Sequence, residues 1–293
     1  MAATVLREVT LGVRAIEPRQ TAYEACGLKA IASGPLTSMT ASRLFDTHVP
    51  PRTVVLSRGA SPEDLRIRLI SLTDLQWRAP RATGESGPIG IEFTTQDREK
   101  AVHLLTPLGS SVPEATPDHA DTFEATTLVR THEGDVIAIT ERPGTSETLP
   151  AVPTTVHLAV HNLGACVHFM RDLLELEPSR SEPQPSTWIA RALGADPTAR
   201  IDLAIAGTDR ASTSFAQAAP SPKPMAQIPG VAPGICRLRF DTSDMDATLS
   251  RVPGAGGSLV RGPASIDDPV LGGGLVAMVR SPFGLLIEIW RTQ

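Results

Sequence analysis

Glu288 stands between Ile287 and Ile289 in the apolar alternating stretch GLLIEIW, with its side chain on the face opposite to theirs. A carboxylate in such a strand needs a partner, and the two that serve are a metal ion and an arginine. Asp202 is set between Ile201 and Leu203 in the same manner, within ARIDLAIAG. His157 lies in the alternating stretch VHLAV, where an imidazole can serve as a ligand or as a general acid or base. Arg237, in CRLRF, donates hydrogen bonds only and stays protonated, so it repels a cation and attracts a carboxylate. Other catalytic chemistry finds little footing. There is no G-x-S-x-G elbow and no H-E-x-x-H pair, and the glycine runs GAGGS and GGGLV lack phosphate-binding spacing.

Strands must position these residues, and the chain contains the same strand pattern more than once. Val5 to Leu28 and Thr155 to Leu176 each read as an alternating strand, a polar turn and a helix. The closing segments Leu128 to Arg142 and Met278 to Arg291 align without a gap over a strand, a tight turn and a second strand. Proline-bearing stretches at Arg78 to Pro88, Arg142 to Thr155 and Pro220 to Gly234 divide the chain into four modules. Each module is expected to hold a strand, a helix and about three further strands, with helix starts at Ile16, Thr95, Asn162 and Ser243. The fold class is α+β, with largely antiparallel or mixed sheets. The 293 residues suit two domains. Their expected bounds are 1–143 and 154–293, joined by the Arg142 to Thr155 linker.

Composition narrows the partners. A net charge of -5 with scattered basic residues gives no attraction for nucleic acid or an anionic membrane, and an aromatic content of 4% gives no base-stacking platform. Cys26, Cys166 and Cys236 are too few and too dispersed for a disulfide framework and read as packing residues in a reducing compartment. No stretch reaches the roughly 18 apolar residues of a membrane span, so a cytoplasmic protein is expected. Among the large side chains, Trp188, read as opening a strand TWIARAL, is the foremost candidate to face a ligand; Trp77 and Trp290 read as core or pocket lining. His168 reads as core packing, and His48, His103, His119 and His132 carry no motif.

The stretches HLAVHNLGACVHFMRDLLELEP, RLRFDTSDMDATLSRVPGAGGSLV and GGGLVAMVRSPFGLLIEIW resemble the module openings and closing hairpin of the vicinal oxygen chelate superfamily, which includes glyoxalase I, the bleomycin-resistance proteins and the extradiol dioxygenases. The resemblance covers nearly all of the second half and, more weakly, the first. It implies four βαβββ modules forming two cup-shaped glyoxalase-like domains, each cup enclosing a ligand, with a divalent metal held at fixed strand positions. By position, the C-terminal half offers His157, Asp202 and Glu288 as metal ligands, a set suited to manganese, iron(II), magnesium or zinc. Arg237 falls where a histidine would be expected, so the alternative is an Arg237–Glu288 ion pair in place of any metal.

In the first half the corresponding positions are Glu8, Arg68, a residue near Pro88, and Ala138, which cannot make a metal site, so this half reads as a degenerate copy. Which modules share a cup stays open: if the first pairs with the fourth, Glu8, Arg68, Arg237 and Glu288 meet, while His157 and Asp202 lie in the other cup. Two functions follow from the resemblance. One is an enzyme of lyase, isomerase or ring-cleaving type acting on a small organic molecule, with His157, Glu288 and Arg237 as catalytic residues and Trp188 and Arg237 contacting substrate. The other is a metal-free protein that binds or sequesters such a molecule. Either admits a homodimer.

Overall fold

The structure is a computed structural model that describes residues 4–59, 61, 64–71, 84–113, 126–141, 151–182, 184–219, 221–224 and 232–292. Trp77, His119 and residues 142–150 of the expected linker lie outside them.

The first module runs β1 (Val5–Val13), α1 (Ile16–Ala25), β2 (Lys29–Pro35), α2 (Ser38–Phe45), β3 (Arg52–Ser57) and β4 (Arg66–Ser71). The second holds β5 (Gly87–Thr95), α3 (Arg98–Leu105), β6 (Gly109–Pro113), β7 (Thr126–Thr131) and β8 (Val136–Glu141). The third holds β9 (Val152–Ala159), α4 (Leu163–Leu174), the short β10 (Ser179–Arg180) and β11 (Gln184–Pro185), α5 (Thr187–Leu193), β12 (Arg200–Thr208) and β13 (Ala211–Gln217). The fourth holds β14 (Gly234–Asp241), α6 (Met245–Arg251), β15 (Ser258–Asp268), β16 (Gly272–Arg280) and β17 (Leu286–Thr292).

The helix starts follow from capping. The carboxylates of Asp97 and Asp244 and the Asn162 amide oxygen accept the backbone N–H three residues on, satisfying a donor that the first helical turn leaves unpaired. Thr95 and Ser243, read as starts, precede the true caps by two and one residues. The last positions of the expected linker, from Val152 to Thr155, are not linker but the opening of β9.

The strands form two curled sheets, one of eight strands in the order β15-β16-β17-β14-β1-β4-β3-β2 and one of nine in the order β10-β12-β13-β9-β5-β8-β7-β6, with β11 on β12. β1 pairs antiparallel with β14, and β5 pairs antiparallel with β9. The first module therefore shares a sheet with the fourth, and the second with the third. Each sheet draws on both halves of the chain, so a division at 143–154 separates repeated sequence units and not cups. One continuous core joins the helix-packed faces of both sheets: Val9, Leu11, Ile67, Ile91, Val156, Phe215, Leu238 and Ile289 meet Tyr23, Phe169, Met170 and Leu173. The opposite, inner faces carry the residues of interest.

α2 and α5 were not foreseen as helices, and each packs on an inner face. α2 lays Ala41, Leu44 and Phe45 against Val55, Ile70, Met278, Leu286 and Trp290. α5, the stretch read as a strand, lays Ile189, Ala190 and Leu193 against Ala159, Leu203 and Ala216. No helix among the described residues is long and apolar enough to cross a membrane.

Candidate functional site

In the eight-stranded cup, β1, β4, β14 and β17 bring Glu8, Arg68, Arg237 and Glu288 together. One Glu288 oxygen accepts from Arg68 Nη1 at 3.0 Å and from Arg237 Nη1 at 3.1 Å, and the other accepts from the Trp290 indole at 2.9 Å. Arg68 also pairs with Glu8, and Arg237 donates to the Leu44 carbonyl at 2.8 Å while its guanidinium lies 4.2 Å from the centre of the Phe45 ring. All four residues are buried.

Burial alone would raise the Glu288 carboxyl, but Arg68, Arg237 and the Trp290 donor outweigh it and bring the group down to about 2. Burial likewise opposes the charge on both arginines. Arg68, held between two carboxylates, ends above its ordinary value, whereas Arg237, with Glu288 on one side and Arg68 repelling it, ends below. The Arg237–Glu288 pair considered above is thus present, joined by a second arginine from the first module.

A divalent cation does not fit here. Two of the four strand positions carry guanidinium groups, and the Glu288 oxygens are already engaged by three donors. The proposed ligand set His157, Asp202 and Glu288 is not assembled either. Glu288 is on the eight-stranded sheet and His157 on the nine-stranded one. Asp202 is exposed and alternates with Ile201 and Leu203, which pack under α5, so it lies on the face opposite to His157. Among the described residues no three His, Cys, Asp or Glu side chains converge as a metal site.

The nine-stranded cup has a different centre. His157 Nε2 is 3.1 Å from a Glu92 carboxylate oxygen, on the neighbouring strand β5. The His157 side chain is 9% exposed and that of Glu92 13%. An ionised carboxylate can only accept, so Nε2 carries the proton in this pair and neutral His157 keeps its lone pair at Nδ1. Nδ1 is buried and has no hydrogen-bond partner among the described residues. The Trp188 indole meets the imidazole edge-on with ring centres 4.9 Å apart, so the tryptophan chosen as a ligand contact does adjoin His157, from α5 and not from a strand. Thr155, beside His157 on β9, shares a 3.0 Å hydroxyl contact with Ser212 of β13, and Ser214 is in register with His157.

Glu92 was missed by sequence reasoning, although it obeys the rule that singled out Glu288: it stands between Ile91 and Phe93, both fully buried on the other face. The helix caps give the proper alignment of the modules. Glu8, Gly90, Thr155 and Arg237 each precede a helix cap by seven residues, and Thr10, Glu92, His157 and Arg239 by five. Arg237 is therefore the counterpart of Thr155 and not, as aligned from sequence, of His157. Ala138 on β8 lies in register with Glu92. His168, expected in the core, is half-exposed on α4 and bonded to Asp172 and the Gly254 carbonyl.

Comparisons with known proteins agree with this architecture. Residues 151–289 match the profile of the Glyoxalase/Bleomycin resistance protein/Dioxygenase superfamily. Glyoxalase I from Zea mays superposes with a TM-score of 0.68 at 13% identity, over 99% of this chain and 92% of that one. A mutant of the same maize enzyme gives 0.68 at 14% identity, over 99% and 94%. A Bacillus subtilis protein provisionally named a dioxygenase gives 0.62 at 10% identity, over 99% and 85%. At these identities the likeness is one of fold. No functionally curated protein matches the sequence.

Proposed function

We propose, from the premise that residues 151–289 belong to the glyoxalase/bleomycin resistance/dioxygenase superfamily, that this protein takes a small organic molecule into its nine-stranded cup and moves a proton there with His157. The observation that carries the reading is the His157–Glu92 pair at 3.1 Å with a buried Nδ1 that has no hydrogen-bond partner among the described residues. Nδ1 is the base: it would accept a proton from a carbon or hydroxyl of the bound molecule. Glu92, bonded to Nε2, fixes the tautomer and stabilises the imidazolium that forms. Returning that proton to a neighbouring atom is isomerase chemistry, and losing a leaving group instead is lyase chemistry. The eight-stranded cup, filled by α2 and its ion pairs, is then a structural copy.

Among the described residues the donor sets of both cups favour a reaction that does not pass through a resident metal, and they lend ring cleavage no support, since non-haem iron(II) sites of that kind use two histidines and a carboxylate with open positions. A second reading, binding without turnover, draws on the His157–Glu92 pair standing, among the described inner positions of β13, β9, β5 and β8, beside neutral side chains. The test is deuterium exchange from D2O into hydroxyketones such as dihydroxyacetone, followed by proton NMR. Exchange is expected with the native protein, lost in His157→Asn and reduced in Glu92→Gln by a factor of about 10 to 100. Exchange undiminished in His157→Asn would overturn the assignment, and binding without exchange would favour the second reading.

A further inference from the structure

A cavity of about 240 Å³ lies outside both cups, between the first turn of α1, the turn Thr106–Leu108 and the turn that joins β7 to β8. Its lining residues belong to helices and turns and not to the strands that form the cups. We propose that this cavity binds a small aromatic carboxylate, at the seam where the first module of the eight-stranded sheet meets the second module of the nine-stranded one. The proposal is independent of the role given to His157. Its fixed wall is Arg19, which is 1% exposed. The Arg19 guanidinium donates to both Asp135 oxygens at 3.2 and 3.1 Å, to Glu133 at 2.6 Å and to the Tyr23 hydroxyl at 3.1 Å. Thr131 donates to Asp135 at 2.6 Å, and the Asp135 side chain lies against Gly234 at the head of β14, where an added Cβ would meet it at 3.3 Å. Opposite, the His132 N–H donates to the Leu108 carbonyl at 3.1 Å. Three modules thus hold the walls in place, so a ligand need not organise them.

The lining sets the ligand's chemistry. Ala15, Pro18, Pro107 and Leu108 carry no polar side-chain atom, and the two prolines are rigid rings against which a flat ring can pack. Water in such a space finds few partners and is displaced by an apolar group at little cost. The volume falls below the roughly 300 to 1,000 Å³ of pockets for drug-sized molecules, which limits the occupant to a single ring. The remaining walls select an anion. Glu133 and Asp135 are both engaged by Arg19, and Glu17, in the same helical turn, pairs with Arg52. Arg14 and His132, both exposed, bring donors to the mouth. Arg14 also makes a contact within the protein, but a guanidinium has five N–H donors, so one contact leaves others for a ligand. Ala15, at the cap position of α1, supplies no side-chain acceptor to the first turn, and the positive end of the helix adds to the same preference. The ring then lies on the proline side and the carboxylate at Arg14 and His132.

The experiment uses the full chain with benzoate, its uncharged amide benzamide, and acetate, titrated by calorimetry and by ligand-detected NMR. Benzoate should bind with a Kd of about 1 mM or tighter, and benzamide and acetate about tenfold more weakly or worse. Arg14→Ala and His132→Ala, both at exposed positions, should each weaken benzoate about tenfold and leave benzamide unchanged. Ala15→Trp, exposed and ahead of the helix, should fill the cavity and abolish binding with the thermal midpoint unchanged. His157→Asn should leave benzoate binding as it is, which separates this site from the nine-stranded cup. Benzoate binding that survives Arg14→Ala, His132→Ala and Ala15→Trp undiminished, or that is lost in His157→Asn, places the ligand elsewhere and overturns the proposal. Benzamide binding as tight as that of benzoate overturns it too, as does the absence of benzoate binding at about 10 mM.

Discussion

Replacing Glu288 by glutamine keeps the side-chain shape and removes one charge from a buried cluster of two carboxylates and two guanidinium groups. Arg68 would still have Glu8, whereas Arg237 would lose the carboxylate that faces it and keep, among its contacts, the Leu44 carbonyl, the Met278 sulfur and the face of Phe45. Breaking a buried pair by removing one partner costs about 3 to 5 kcal/mol, because the surviving charge stays buried without that partner. Proton linkage gives the same scale independently. The carboxyl falls from 4.5 to about 2 on folding, and each unit is worth about 1.4 kcal/mol, so the ionised form contributes about 3 kcal/mol.

The sign follows from the direction of the shift. A folded value below the unfolded one means a contribution fully present above about 4.5 and lost as the pH falls toward about 2. Guanidinium chloride unfolding of native protein and Glu288→Gln should therefore differ by about 3 kcal/mol at pH 7, with the gap closing between pH 4.5 and 2 as the native carboxyl is itself protonated. A gap under about 1 kcal/mol at pH 7, or one that does not change with pH, would refute the account of this cluster as a set of compensating charges.

Arg237→His would restore a histidine at the sequence position where one was expected, yet calorimetric titration with manganese or iron(II) should give no tight stoichiometric binding, because Arg68 remains 3.0 Å from Glu288; tight binding by this variant or by the native protein would contradict the reading of the cup as cation-excluding. Asp268 receives the backbone N–H groups of Thr37, Val270 and Leu271, and although burial opposes its charge, these donors hold its carboxyl below the ordinary value. Asp268→Asn should loosen the start of α2 and lower stability by about 1 kcal/mol at neutral pH, with the difference shrinking in acid as the native carboxyl protonates; hydrogen exchange confined to α2 and β15 is the measurement, and unchanged protection there would count against the latch.

The strand-helix openings and closing hairpins were legible because they carry local signals: alternation, a polar residue at or within two positions of the cap in three of the four opening helices, and a tight turn between two apolar runs. The pairing of the modules was not, since all four open with interchangeable amphipathic strands and only side-chain complementarity chooses among them. Arg68 on the first module finds its counterpart in Glu288 on the fourth, which Arg237 also holds, and that match is visible only once the strands are side by side. α2 and α5, of eight and seven residues, are too short for helical periodicity to outweigh alternation, and TWIARAL satisfies both patterns. Their burial comes from tertiary packing on the inner faces. The alignment error at His157 had a local cause too: strand alternation fixes the face but not the register, and a slip of two residues keeps the face while exchanging Thr155 for His157.

Under the proposed function, that two-residue difference separates the two cups. Both central strand pairs place a residue seven before one cap opposite a residue five before the other: Glu8 against Arg239 and Thr10 against Arg237 in one sheet, Gly90 against His157 and Glu92 against Thr155 in the other. The same framework is thus furnished twice. In the eight-stranded sheet the long cations on β14 reach carboxylates and the α2 carbonyl, and α2 fills the remaining space with Leu44 and Phe45. A ligand there would have to displace an ion cluster and a helix at once, and each buried charge uncovered would add to the cost. In the nine-stranded sheet a glycine and a threonine stand at the positions of Glu8 and Arg237, so these two positions bring no charge to the His157–Glu92 pair. If His157 is the base proposed here, a setting in which Glu92 adjoins it and the neighbouring strand positions are neutral suits a group that must accept and return a proton.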